Sequence, residues 1–239
     1  MDAPRTSKPR LRSPSSGRKR APGRPPSTGA AAPAAEQREL LLDAAIACFV
    51  RKGIAATSLR EIAREAHVTP ALLHYYFGDK AQLQEALVAD RLLPALAEMR
   101  AAVADAGGDA AALIAAFVAG IGRIAMRHPW LPPLWVREVL CEGGALRDVL
   151  FERIGPQLPQ AMARRFAEAQ ARGEINQGLD PRLLMVSLVG LTLFPIAGAP
   201  IWRRLFAGDP ATAALDMDTF RRHTLALLER GIDPGEPSS

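Results

Sequence analysis

An all-α fold of about nine helices is predicted for this 239-residue chain by three observations. Ala, Leu, Arg and Glu dominate the segments in which apolar residues recur at helical spacing. Alternating apolar and polar runs bounded by turn signals, the mark of strands, are almost absent. Three helix N-caps fall within residues 57–80, at Ser58, Thr69 and Asp79. The length accommodates one small domain and one medium helical domain.

The elements follow in order. Leu41, Ala44, Ala45, Cys48 and Phe49 form the apolar face of a first helix that stops at Gly53. Ser58, three residues before Glu61, opens a second helix through a capping box, and Leu59, Ile62, Ala63 and Ala66 give it one apolar face. His67-Val68-Thr69 interrupts the pattern. Thr69 caps a third helix whose first residue, Pro70, needs no backbone N–H there. Leu73 and Phe77, four apart, turn inward, so Pro70, Ala71, His74 and Tyr75 point away from the core. Asp79 caps a longer fourth helix that starts at Lys80 and ends at Gly107-Gly108. Asp109 caps a fifth, ended by His128-Pro129, and residues 130–133 read as a rigid corner. A sixth helix runs from Leu134 to Cys141. A seventh region over 146–172 is broken near Gly155-Pro156 and Pro159. Asp180-Pro181 opens an eighth, ended between Pro195 and Pro200, residues 201–206 read as a short turn, and a ninth runs over 218–230.

Two short helices joined by a three-residue turn are the outline of a helix-turn-helix. Together with the upstream run Ala44-Ala45, Phe49, Gly53 and Thr57, and the downstream Tyr76-Phe77, Lys80 and Leu83, the segment 38–87 resembles the N-terminal domain of the tetracycline-repressor (TetR) family of bacterial transcription regulators. The chain departs from that pattern at His67, where the family more often has Gly and no consequence is visible in the sequence, and at His74, where it more often has Tyr. The resemblance implies a ligand-responsive, homodimeric repressor released from a palindromic double-stranded DNA operator by a small-molecule effector. It also implies a domain plan: a disordered basic tail over 1–35, a DNA-binding domain over 36–82, an effector-binding and dimerisation domain over 83–232, and a disordered end over 233–239. Thr69, Pro70, Ala71 and Leu72 then lie nearest the base edges, where their chemistry suits thymine methyl groups. Arg60 supplies further readout, and Thr57, His74, Tyr75, Tyr76 and Lys80 are candidate phosphate contacts. Core packing is the alternative for Tyr76.

The charge of +5 is uneven. Residues 1–37 carry eight cations against two acidic groups, a balance of +6 that leaves the remainder at −1. That tail is rich in Pro, Ser and Gly, with too little apolar surface to fold. Within it, Lys19-Arg20 and Gly23-Arg24-Pro25 resemble a minor-groove hook; a basic arm that adds phosphate contacts is the alternative. Cys48 and Cys141 both fall on apolar helix faces and read as reduced core residues, which points to the cytoplasm. Residues 183–202 lack charge, but Gly190, Pro195, Gly198 and Pro200 interrupt them, so a core and dimer-interface helix fits better than a membrane span.

In the larger region Phe117, Ile121, Trp135, Phe166 and Leu188 are candidate walls of a pocket for an apolar or amphipathic effector, with Met126, Phe151 and Phe194 also available. Arg123 and Glu138 interrupt apolar runs; they either orient a polar effector group or pair with each other or with solvent. No phosphate loop, His-Glu metal pair or nucleophile with a nearby base is present, so no catalytic residue, metal or cofactor is expected. A helical carrier of hydrophobic molecules, without specific DNA binding, is the rival reading.

Overall fold

The computed structural model describes residues 31–232, with side chains over 34–229. The basic tail to residue 30, with its Gly-Arg-Pro segment, and residues 233–239 lie outside the described residues. Helix α1, Ala31–Lys52, begins within the last five residues of the stretch expected to lack structure. With α2, Leu59–Glu65, and α3, Pro70–Phe77, it forms the N-terminal three-helix domain. Leu41, Ala45, Phe49, Ile62, Leu73 and Phe77 meet in its core, as the helical spacing predicts.

Helix α4 spans 80–104 and passes through the expected domain division at 82/83. It comprises Lys80–Leu87, a wider π turn over Val88–Leu92, and Leu93–Ala104. Pro94 explains the π turn: its ring clashes with the carbonyl four residues back and it donates no N–H, so the helix widens just before it. Arg91 on this turn pairs with Glu39 and Asp43 of α1, at 2.5 and 3.1 Å, fastening α4 to the first helix.

The remaining helices are α5, Ala110–Arg127; α6, residues 131–140; α7, residues 147–154; α8, Gln157–Ala171; α9, Pro181–Ala197; α10, Ala199–Leu205; and α11, Met217–Ile232, preceded by a 3-10 turn at Pro210–Ala214. Eleven helices are thus described against about nine expected, and no strand among the described residues. The seventh region splits into α7 and α8 at Gly155, whose φ of +70° suits glycine. The stretch expected to be a turn at 201–206 is mostly helix α10, set at 67° to α9 across Gly198. The corner expected at 130–133 is instead the first turn of α6, where Pro132 and Pro133 need no N–H.

Helix α5 is the centre of the larger domain, flanked by α4, α9 and α11. By length and apolarity it is the one unbroken helix, among the described residues, long enough to cross a membrane, with the bent pair α9–α10 passing the same test as a broken span; half of α5 is buried in this bundle. A core helix covered on several sides loses its polar face for the same reason a membrane helix does.

Cys48 is buried, and that burial pushes its thiol above the ordinary value. Cys141 is exposed at the end of α6, which corrects the expectation of a core residue. The π turn over Val136–Leu140 ends the helix one residue earlier and rotates position 141 outward.

Candidate functional site

The surface around α3 is built by local chemistry. The Ser58 amide donates to Glu61 Oε2 at 2.9 Å and the Glu61 amide to Ser58 Oγ at 3.3 Å, a reciprocal cap that fixes the start of α2. Lys52 adds an ion pair to the same carboxylate. That Lys52 bond first, and then the Ser58 donors, hold the Glu61 carboxyl down at about 2 against an ordinary 4.5. A depressed folded-state pKa contributes stability above the ordinary value and loses it as pH falls toward the folded one. The thermal midpoint is therefore expected to drop as pH is lowered from about 4.5 to about 2, by less in a Glu61→Gln variant; an acid melting series followed by circular dichroism checks this.

The turn between α2 and α3 contains His67 at φ +56°, the single described non-glycine residue in the left-handed region. A Cβ there crowds the following carbonyl, costing about 1–2 kcal/mol. The departure from Gly at this position therefore has a consequence after all. His67→Gly is expected to raise stability by about 0.5–1 kcal/mol, read as a higher denaturant midpoint with unchanged slope.

Thr69 caps α3 as expected, Oγ1 accepting from the Leu72 amide at 3.4 Å. Asp79 caps α4, accepting from the Gln82 amide at 2.8 Å, which holds its carboxyl below the usual range. Between these caps the outer side of α3 is open. Thr69, Pro70, Ala71, His74 and Tyr75 are exposed and Leu72 is half-buried; Tyr75 is 82% exposed. Tyr76 is half-buried against the core, edge-on to Tyr75 with ring centres 5.4 Å apart. His74 Nδ1 bonds the Gly78 carbonyl. Arg60 is exposed on α2, and among the described residues it pairs with no acid. Lys80 Nζ donates to the Ala55 carbonyl at 2.9 Å, beside the α1–α2 corner.

One expected contact is displaced. Thr57 is only 2% exposed, and its hydroxyl donates to the Gly53 carbonyl at 2.7 Å. It pins the corner and has no side chain to offer to a phosphate.

Inside the larger domain an apolar cavity of about 160 Å³ lies between α4, α5, α6, α7, α8 and α9. Phe117, Ile121 and Trp135 line it, as the sequence suggests. Phe166 and Leu188 do not; both are wholly buried in the packing beneath it. Arg123 is exposed on the outer face of α5, beside Met126, Asp218 and Arg221, so it meets neither the cavity nor Glu138. Glu138 is buried but faces the other way, accepting the Ile54 amide at 2.9 Å and the Ala145 amide at 3.0 Å. Met126, Phe151 and Phe194 are at least two-thirds exposed and lie outside the cavity. The walls missed in sequence, among them Leu96, Met99, Ile154 and Met185, are apolar residues with no local mark to separate wall from core. A larger groove of about 360 Å³ runs along α9, α10 and α11 past Trp202, Met217 and Phe220. It is rimmed by Arg203, Asp216 and His223, whereas the inner cavity has no charged wall.

The outer face of α9 carries Leu183, Val186 and Phe194, each more than 60% exposed, with Ser187 and Gly190 between them. Leu227 of α11 is exposed as well.

The family pattern described as "Bacterial regulatory proteins, tetR family" matches residues 41–87. The HTH-type transcriptional regulator BetI of Rhizobium meliloti is 49% identical over 47 residues, 20% of this chain and 23% of that protein. SrpR of Pseudomonas putida is 38% identical over 64 residues, 27% of this chain and 30% of that one. The chain thus spans less than a third of the length of these two relatives. Over most of its length it shares a fold with solved structures. The ketosteroid transcriptional regulator KstR2 of Mycobacterium tuberculosis superposes with a TM-score of 0.67 at 20% identity, covering 82% of this chain and 95% of that one. FadR of Bacillus subtilis, in complex with stearoyl-CoA, gives 0.58 at 18% identity, covering 81% and 98%. The likeness to bacterial regulatory proteins of the tetR family is thus shown for residues 41–87, and over the rest of the chain the fold is what these structures share with it.

Proposed function

We propose that the chain is a cytoplasmic, homodimeric transcriptional repressor that binds a palindromic operator through α3 and releases it when an apolar effector enters the inner cavity. The observation that carries this reading is the open outer side of α3: no described residue covers Thr69, Pro70, Ala71, His74 or Tyr75. Two copies joined through α9 and α11 bury Leu183, Val186, Phe194 and Leu227, and they hold two α3 helices for consecutive major grooves. Because α3 carries no acid and no cation apart from His74, base contact is by methyl and shape recognition. Tyr75 contacts phosphate, and Arg60, which lies on α2 and not on α3, is assigned to phosphate in place of the base readout expected from the sequence.

The cavity supports an uncharged effector or effector moiety, since no charged side chain lines it. Its 160 Å³ is below the roughly 300 Å³ of a drug-sized site and matches a single small ring, so a longer effector has to widen it. Selection of bound fragments from a genomic DNA library tests the reading. The expected product is an inverted repeat with half-sites about one helical turn apart. Recovery of sites without two-fold symmetry, or no duplex binding at moderate salt, overturns it.

A further inference from the structure

Glu138 is a buried carboxylate, 4% exposed, that pairs with no cation among the described residues. Its two oxygens are instead divided between backbone amides of two different segments. Oε1 accepts from Ile54, in the corner between α1 and α2, at 2.9 Å, and Oε2 accepts from Ala145, in the loop after α6, at 3.0 Å. Its own carbonyl accepts from the Leu146 amide at 2.9 Å. A buried carboxylate held only by neutral donors is costly unless both oxygens are satisfied, so the two amides are obligatory partners.

The surroundings are shaped to this contact. Gly53 has φ +89°, and a Cβ there would stand 3.1 Å from Glu138 Oε1. Gly144 lies so close that a Cβ would fall 2.3 Å from the Glu138 carbonyl oxygen. Glycine at 53 lets the corner close on the carboxylate, and glycine at 144 lets the loop close on the backbone of Glu138. The π turn over Val136–Leu140 carries Glu138, and such single-turn widenings are frequent at functional positions.

The same helix reaches the cavity. Leu131, Pro132 and Trp135 of α6 line it, and Glu138 follows Trp135 by one turn. At the far end, the corner that Glu138 grips holds Thr57 Oγ1 on the Gly53 carbonyl and Lys80 Nζ on the Ala55 carbonyl, immediately before the Ser58 cap of α2. We propose that Glu138 is a latch that transmits the state of the cavity wall on α6 to the α1–α2 corner, and so sets the attitude of the α2–α3 reader. This rests on the DNA-binding and effector reading given above. Glu138 is a positioning residue; it touches neither DNA nor effector. A shift of α6 too small to break a packed interface still moves a rigid two-point hydrogen-bonded tether.

The test uses the full chain, an operator fragment from the genomic selection, and benzene as the cavity probe. In the wild type, benzene is expected to change operator affinity at least about 10-fold, a typical coupling, and to change hydrogen exchange at the Ile54 and Ala145 amides. In Glu138→Gln, whose amide accepts through only one atom, exchange at one or both of those amides is expected to speed up at least about 10-fold. The benzene-dependent ratio of operator affinities is expected to fall below about 3, with benzene affinity kept within about threefold. A merely structural role would lower operator affinity with and without benzene alike, leaving the ratio intact. Gly144→Ala, which pushes the loop off Glu138 without altering the carboxylate, is expected to lower the ratio in the same way. Retention of the wild-type ratio in both variants overturns the latch and leaves the regulator reading standing. Absence of operator binding, or of benzene uptake by the wild type, overturns that underlying reading and the latch with it. If a variant fails to fold, benzene-bound wild type with unchanged exchange at Ile54 and Ala145 overturns the latch by itself.

Discussion

Joint replacement of Arg60 and Tyr75 by alanine is expected to weaken operator binding at least about 100-fold while leaving the melting temperature within about 2 °C of wild type. A hydrogen bond to a charged group is worth about 1.5–3 kcal/mol, and in a two-fold complex both copies lose theirs. The fold should not notice. Tyr75 is 82% exposed and Arg60 is exposed without an acidic partner among the described residues, so neither supports the core. Titration of a labelled operator across a salt series checks the effect. Loss of one cationic phosphate contact per copy should reduce the slope of log affinity against log salt by about 2. An operator footprint indistinguishable from wild type would remove the assignment of this surface.

Phe166→Ala is expected to cost about 3–5 kcal/mol, the largest stability loss predicted for a single side chain here. Phe166 is wholly buried on α8, where that helix packs against α9 and α5. The void left by its ring cannot refill, because interiors are packed to crystal density. Set against a total stability of about 5–15 kcal/mol, the loss leaves a marginal protein. Denaturant unfolding measures it directly. Trp135→Ala, at a partly buried cavity wall, should cost distinctly less, and the contrast separates core from wall.

That contrast also marks where the sequence stopped being readable. The N-terminal domain was legible almost residue by residue because its signals are local: Ser58 to Glu61, Thr69 to Leu72 and Asp79 to Gln82 are all bonds across three positions. His67 was seen as a departure but not as strain, since a φ angle leaves no trace in residue identity. In the larger domain, Phe117 and Phe166 have the same chemistry and the same helical spacing, yet one faces a cavity and the other a neighbouring helix. Arg123 interrupts an apolar helix in sequence, and only the placement of α11 shows that its side is the outer one. Glu138 stands out in the sequence as a charge on an apolar helix, yet it lines no cavity and meets neither Arg123 nor solvent. Its partners are the amides of Ala145 and of Ile54, the latter 84 positions away, and a backbone donor is invisible to any reading of side chains. Pro94 was the overlooked local signal, for it lies behind the π turn in α4.

The bare apolar stripe of Leu183, Val186 and Phe194 has a quantitative corollary. Where two molecules must associate before either can grip its site, occupancy at low abundance climbs with the square of protein concentration. For the homodimeric repressor proposed above, gene silencing would then switch on over a narrow span of expression level, and dilution at cell division would act as a timer on its release.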